Sequence, residues 1–105
     1  MCWYGGLSEM HYILFYDTVD NFLERRTPFR AAHLKLVQKS FDDGELVLAG
    51  ALSEPADGAV LVFAGNSPGA AETFARSDPY VINGLVKSWH VRNWMTVTGD
   101  GSATS

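Results

Sequence analysis

The chain has 105 residues, of which 47% are hydrophobic, 12% aromatic and 19% charged, with a formal net charge of −4. This length predicts one domain whose core is large enough to need no disulfide or metal for stability. An acidic chain without a cluster of Lys and Arg is not expected to bind nucleic acid, because phosphate recognition needs a basic surface. Its apolar runs are too short to span a bilayer, so no membrane association is expected.

The two ends of the chain lack the apolar periodicity of its middle. Residues 1–9 contain Gly5-Gly6 and are predicted to form a flexible leader. Residues 96–105 are rich in Gly, Ser and Thr and are predicted to form a flexible tail. The expected domain therefore covers residues 10–95. The single cysteine, Cys2, has no partner for an internal disulfide, which favours a reducing compartment and predicts a cytoplasmic protein.

In chain order, the first predicted elements are a strand over residues 11–16 and a helix over residues 28–42. The strand is a short run of aromatic and β-branched side chains. The helix begins at Thr27-Pro28, a capping hydroxyl followed by Pro at the first helical position, and ends at Gly44. Its apolar stripe, close to a 3.6-residue period, consists of Phe29, Ala32, His33, Leu36, Val37 and Phe41.

The second half of the chain predicts three strands and one helix. Strands over residues 45–52 and 59–64 flank a turn sequence at residues 55–58. A helix over residues 68–76 begins at Ser67-Pro68 and ends before Asp78-Pro79, since proline disfavours helix continuation. The last strand, residues 86–95, alternates so that Trp89 and Trp94 lie on opposite faces.

The element order β-α-β-β-α-β predicts an α+β fold of the ferredoxin-like type. In this arrangement two helices cover one face of a four-stranded sheet and leave the other face bare. A chain with many aromatic and few charged residues favours burial of that face against a second copy. The sequence therefore predicts a homodimer.

Three polar residues are candidates for a site. Arg30 and His33 are three positions apart and project from nearly the same side of the first predicted helix. A histidine at the edge of an apolar stripe can act as a general base if an acidic partner fixes its tautomer, and Asp78 is a candidate for that partner. The alternatives are a structural core histidine, a solvated arginine and an aspartate that only ends a helix.

Other common site types find no support in the sequence. No glycine-rich phosphate-binding loop or nucleophile elbow is present. Cys2 has no basic neighbour that would favour a thiolate. His11, His33 and His90 lack the spacing of metal ligands, so we expect neither a metal nor an organic cofactor.

Six short features, in their order and spacing, make the chain resemble the YCII-related (YciI-like) domain family. They are residues 30–34 (RAAHL), 43–46 (DGEL), 48–50 (LAG), Gly58, residues 78–80 (DPY) and residues 84–86 (GLV). The resemblance implies a ferredoxin-like homodimer of the dimeric α/β-barrel type and an acid-base pair that falls on His33 and Asp78. Arg30 matches the family's arginine one turn before the histidine. The chain departs from the family at Ala51, where members often have proline.

The resemblance also implies a reaction class. A known activity in the family is dehydrochlorination of 5-chloro-2-hydroxyhydroquinone, so we expect a cofactor-independent lyase that eliminates HCl from a chlorinated hydroxyquinol in aromatic degradation. His33 would remove a proton, Asp78 would stabilise the imidazolium, and Arg30 would bind the substrate's developing oxyanion. Open alternatives are an isomerase of a small oxygenated ring compound, a non-catalytic small-molecule-binding dimer and a dimeric accessory subunit without a ligand.

Overall fold

The computed structural model of the protein describes residues 10–98. Its elements are β1 (Met10–Thr18), α1 (Phe22–Arg25), α2 (Arg30–Asp42), β2 (Leu46–Ala51), β3 (Gly58–Gly65), α3 (Gly69–Ser77), α4 (Pro79–Ile82) and β4 (Val86–Trp94). A 3-10 turn over Thr27–Phe29 precedes α2. The predicted leader and residues 99–105 of the predicted tail lie outside the described residues.

The four strands form one antiparallel sheet in the order β2-β3-β1-β4, with β2 and β4 at its edges. Because β1 is central, it pairs with β3 on one side and with β4 on the other. Strand order and element order together confirm the predicted ferredoxin-like α+β fold.

The core lies between the helices and one face of the sheet. On β1 and β3, Leu14 is opposite Leu61, and both are almost fully buried. The packing face of α3 consists of Ala71, Phe74 and Ala75, which are also buried. Two alanines on this face let the helix approach the sheet closely, while the Phe74 ring meets the Phe63 ring edge-on with 5.5 Å between centroids.

Helix α2 differs from the predicted helix in its first residue and in which side chain is buried near its C-terminus. It begins at Arg30, since Thr27–Phe29 form the 3-10 turn and the Thr27 side chain makes no capping hydrogen bond. Near its C-terminus Ser40 is buried, whereas Phe41 is 56% exposed. Positions 33, 36, 37 and 40 follow the i, i+3, i+4, i+7 pattern of a single face, and Phe41 lies one position beyond it.

The segment after α3 adds a short helix that the sequence pattern does not predict. Asp78 is extended, with φ −71° and ψ 124°, and this conformation ends α3. The Asp78 carboxylate accepts a hydrogen bond from the Tyr80 N–H at 3.0 Å and so caps α4, with Pro79 at its first position. Asp78-Pro79 therefore both stops one helix and starts the next.

The other face of the sheet carries no helix among the described residues. The register places Trp89 opposite Tyr16 and Trp94 opposite His11, on alternate faces, as predicted. On the uncovered face, Phe15 stacks on His90 with 4.9 Å between ring centroids. Leu48 is 70% exposed on the edge strand. The homodimer remains a prediction for this face.

Of the predicted tail, the structure describes residues 96–98. Thr96 is buried, and its hydroxyl oxygen lies 2.8 Å from His11 Nδ1. None of the helices within residues 10–98 has the length and apolarity needed to cross a lipid bilayer.

Candidate functional site

His33 and Asp78 are in direct contact at the centre of the site. His33 Nδ1 lies 2.8 Å from Asp78 Oδ1, although the two residues are 45 positions apart. The His33 side chain is 14% exposed and the Asp78 side chain is fully buried. The structure thus brings together the two residues that the sequence analysis paired, on α2 and at the junction of α3 and α4.

The buried carboxylate of Asp78 accepts three hydrogen bonds. His33 Nδ1–H and the Tyr80 N–H donate to Oδ1, and the Tyr16 hydroxyl donates to Oδ2 at 2.7 Å. A buried carboxylate is costly unless such donors satisfy it, so the three partners fix its position. Since Nδ1 carries the proton of the hydrogen bond to the carboxylate, the neutral imidazole presents an unprotonated Nε2 to a ligand.

Tyr16 is a member of this group that the sequence analysis did not identify. It lies on β1 two positions after Leu14, on the face that packs against the helices. Burial raises the pKa of Tyr16 strongly, and the neighbouring Asp78 charge and hydrogen bond raise it further. Its hydroxyl therefore stays protonated and remains a donor to Asp78. The available signal was a tyrosine at a core position, whose hydroxyl needs a polar partner.

Aromatic rings hold the His33 imidazole in place. The Tyr80 ring stacks on it with 3.9 Å between centroids and 12° between planes. The Phe74 ring meets it edge-on, with 6.4 Å between centroids. With one face covered and Nδ1 bonded, the imidazole has a fixed orientation, which is what proton transfer at its free nitrogen requires.

A cavity of about 260 Å³ opens beside His33. Its lining residues are Tyr16, Phe22, Arg26, Arg30, His33, Leu34, Val37, Ala49, Gly50, Ala51, Ala59, Leu61 and Tyr80. A dry cavity of roughly 150 Å³ accommodates benzene, so this space suits a substituted single ring. Most of the lining residues are apolar, and the polar side chains among them are those of Tyr16, Arg26, Arg30, His33 and Tyr80.

Arg30, the third predicted site residue, also borders this cavity. It is exposed at the first position of α2, one turn before His33, as expected from their spacing. Arg26, in the turn before α2, lies over the Phe22 ring at 5.6 Å and lines the same cavity. The site therefore combines a histidine-carboxylate pair with two cations.

The other two histidines lie away from the cavity. His11 bonds to Thr96, and His90 stacks on Phe15 on the uncovered face of the sheet. Within residues 10–98, His, Cys, Asp and Glu side chains form no group of three or more that could hold a metal ion.

Comparison with solved structures shows the same fold in proteins of low sequence identity. One is 5-chloro-2-hydroxyhydroquinone dehydrochlorinase (TftG) from Burkholderia phenoliruptrix AC1100 in complex with 2,5-dihydroxybenzoquinone, with a TM-score of 0.68 and 19% identity over 89% of this chain and 99% of that chain. Another is a proposed antibiotic biosynthesis monooxygenase from Bacteriodes thetaiotaomicron VPI-5482, with a TM-score of 0.60 and 15% identity over 91% of this chain and 96% of that chain. Comparison with curated proteins gives no significant match.

The family comparison covers almost the whole described part of the chain. The YCII-related domain matches residues 10–95, which extend from the first residue of β1 to just beyond the end of β4. Both members of the His33–Asp78 pair and both cavity arginines lie within this match. The chain belongs to the YCII-related domain family.

Proposed function

We propose that the protein is a cofactor-independent lyase that eliminates HCl from a chlorinated hydroxyquinol of the 5-chloro-2-hydroxyhydroquinone type. The observation that carries this proposal is the His33–Asp78 contact at the wall of a cavity sized for one ring. Support also comes from the fold shared with TftG, a dehydrochlorinase in complex with a dihydroxybenzoquinone. His33 and Asp78 are the proposed catalytic residues, and Arg30 is the proposed substrate-binding residue.

The first proposed step is proton removal from a ring hydroxyl. His33 Nε2 takes the proton, and the Asp78 carboxylate stabilises the resulting imidazolium through Nδ1–H. The electron pair released on oxygen moves into the ring, and Arg30 stabilises the developing oxyanion. A positioned general base of this kind contributes roughly 10²–10⁴-fold to rate.

The second proposed step replaces chlorine by hydrogen at the ring carbon. The imidazolium returns its proton to the carbon that bears chlorine, which gives the keto tautomer. Loss of the second hydroxyl proton to His33 then supplies the electron pair that expels chloride. The ring is oxidised to a hydroxyquinone while the C–Cl bond is reduced to C–H, so the net change is loss of one HCl and no external oxidant is consumed.

We also propose that the active form is a homodimer of the dimeric α/β-barrel type, joined through the uncovered face of the sheet. Phe15 and Leu48 are on this face, and Leu48 is largely exposed in the single chain. Burial of such a surface against a second copy removes apolar area from water.

The decisive experiment measures chloride. The protein is incubated with 5-chloro-2-hydroxyhydroquinone under anaerobic conditions, and free chloride is quantified against a protein-free sample and the His33→Ala variant. We expect protein-dependent chloride release without O₂, because elimination needs no oxygen whereas a monooxygenase reaction does. Chloride at the protein-free rate would refute the lyase.

Two alternatives give different outcomes when the same incubation is repeated in deuterated solvent. An isomerase of a small oxygenated ring would release no chloride but would exchange carbon-bound hydrogen with deuterated solvent. A non-catalytic binding protein would retain the ligand with unchanged mass and without exchange.

A further inference from the structure

The Tyr80 hydroxyl has no role within the described part of the chain. Tyr80 is 3% exposed, and its hydroxyl oxygen is buried without a hydrogen-bond partner among residues 10–98. The other groups of Tyr80 have partners, since its ring stacks on the His33 imidazole and its N–H donates a hydrogen bond to Asp78 Oδ1. A buried hydroxyl without a partner is unfavourable, and a ligand atom that accepts its proton would relieve that cost.

Two cations lie beside this hydroxyl. Burial raises the pKa of Tyr80, the charges of Arg26 and Arg30 and the approach of the Arg30 guanidinium to the hydroxyl oxygen lower it, and the Asp78 charge raises it, with a net rise. The hydroxyl is therefore protonated at neutral pH and can donate. An arginine can only donate, so this approach leaves the hydroxyl proton without an acceptor. Both arginines line the cavity, and neither forms a salt bridge with a described residue.

The Asp78 carboxylate supplies one negative charge near Tyr80 against the two positive charges of the cavity arginines, so the balance of these groups is positive. Asp78 already accepts from His33, Tyr16 and the Tyr80 N–H, so both of its oxygens are occupied. Guanidinium groups have donors only, and the free proton of Tyr80 needs an acceptor. This corner of the cavity consequently presents donors and positive charge without an acceptor to match them.

We infer that Tyr80, Arg26 and Arg30 form an oxyanion-binding subsite, and that the ligand of this protein binds as a planar anion. Its charged group is an ionised ring oxygen or a ring carboxylate, which two guanidinium groups and one hydroxyl can bind together. This inference rests on the proposed function in placing the reacting ring beside His33, and it adds the charge of the substrate. Tyr80 is then a specificity-determining residue.

The test is a binding measurement at neutral pH by isothermal titration calorimetry. The probes are 2,5-dihydroxybenzoquinone, which is an anion at this pH, against neutral hydroquinone, and benzoate against neutral benzamide. We expect at least one anion to bind about tenfold more tightly than its neutral counterpart. A preference confined to benzoate identifies a carboxylate, and one confined to the quinone identifies an ionised ring oxygen.

Three variants assign the preference to the subsite. Tyr80→Phe keeps the ring on His33 and the N–H on Asp78, and Arg26→Gln removes one charge. Each is expected to weaken anion binding about tenfold while neutral-probe binding changes less than about twofold. Arg25→Gln is the matched control, because Arg25 is exposed and is not a cavity residue. It should leave both affinities unchanged.

The outcomes separate this inference from the proposed reaction. Equal affinity for anion and neutral probe in the wild-type protein overturns the subsite. An equal loss for both probes in Tyr80→Phe overturns the role of the hydroxyl. Anion preference without chloride release refutes the lyase and supports the subsite. Chloride release without anion preference supports the lyase and refutes the subsite.

Discussion

The Tyr80 ring lies parallel to the His33 imidazole, with 3.9 Å between their centroids, and the Tyr80 N–H bonds to the carboxylate that accepts from His33 Nδ1. Tyr80 therefore fixes His33 in two ways: its ring covers one face of the imidazole, and its N–H positions the Asp78 carboxylate that bonds to His33 Nδ1. This double constraint is possible because Tyr80 immediately follows Asp78-Pro79 at the start of α4. Nε2 is the imidazole nitrogen that Asp78 does not occupy.

Replacement of His33 should separate catalysis from folding. We expect His33→Gln to reduce kcat for chloride release by about 10²–10⁴-fold, because the amide cannot shuttle a proton. The circular dichroism spectrum should be unchanged. Lys35→Ala, an exposed change on the same helix, is the control and should retain full activity. An unchanged kcat in His33→Gln would remove the histidine from the mechanism.

Replacement of Asp78 should affect stability as well as activity. In Asp78→Asn the carboxamide has one acceptor oxygen for three donors, so at least one buried donor loses its partner. We expect the free energy of unfolding in urea to fall by about 1–3 kcal/mol, the cost of a buried donor without a partner. Asp43→Asn, which alters an exposed carboxylate paired with Lys39, is the control and should have little effect. Equal stabilities for the two variants would contradict the role assigned to the three-donor carboxylate.

Tyr16 should make stability depend on alkaline pH. Its pKa is raised in the folded protein, so the folded state keeps a proton that the unfolded state releases above pH of about 10. The stabilisation from this group is complete below that pH and is lost as pH rises above it. Relative to wild type, Tyr16→Phe should therefore lose stability less steeply, by about 1.4 kcal/mol per pH unit above pH of about 10.

The matched control for Tyr16 is Tyr12→Phe. Tyr12 lies on the same strand and face, but its hydroxyl donates to the Met10 sulfur at 4.0 Å instead of to a carboxylate. The measurement is urea unfolding at several pH values between 8 and about 11. Parallel curves for wild type and Tyr16→Phe would show that Tyr16 does not hold its proton in the folded state.

The uncovered sheet face should control oligomeric state. Phe15→Glu and Leu48→Glu place charges on this face, and we expect each to convert a species of twice the chain mass into a monomer in sedimentation equilibrium. Ile82→Glu alters another large exposed side chain, on α4 at the helical side of the domain, and should leave the mass unchanged. A wild-type monomer would refute the dimer directly.

Local patterns predict the fold well because strands, capped helices and turns are short-range features. The sequences Thr27-Pro28 and Ser67-Pro68 predict the starts of two helices to within two residues of their observed positions, although the first sequence forms a 3-10 turn before α2. Helical spacing predicts that Arg30 and His33 project from the same side of α2, but spacing by itself does not assign them to a site. Tyr16 and Tyr80 could not be assigned, since their partners depend on how distant elements pack. The Tyr16 hydroxyl meets Asp78 across 62 positions.

One wall of the cavity comes from Ala49, Gly50 and Ala51 on β2, an edge strand bonded to a single neighbour. These residues are exposed and contribute almost no side-chain volume to the space beside His33. The width of the cavity therefore depends on an edge strand of the sheet. This strand is separate from the elements that hold the buried Asp78 carboxylate and its donors. Substitution of a larger side chain on this strand would narrow the cavity without touching the His33–Asp78 contact.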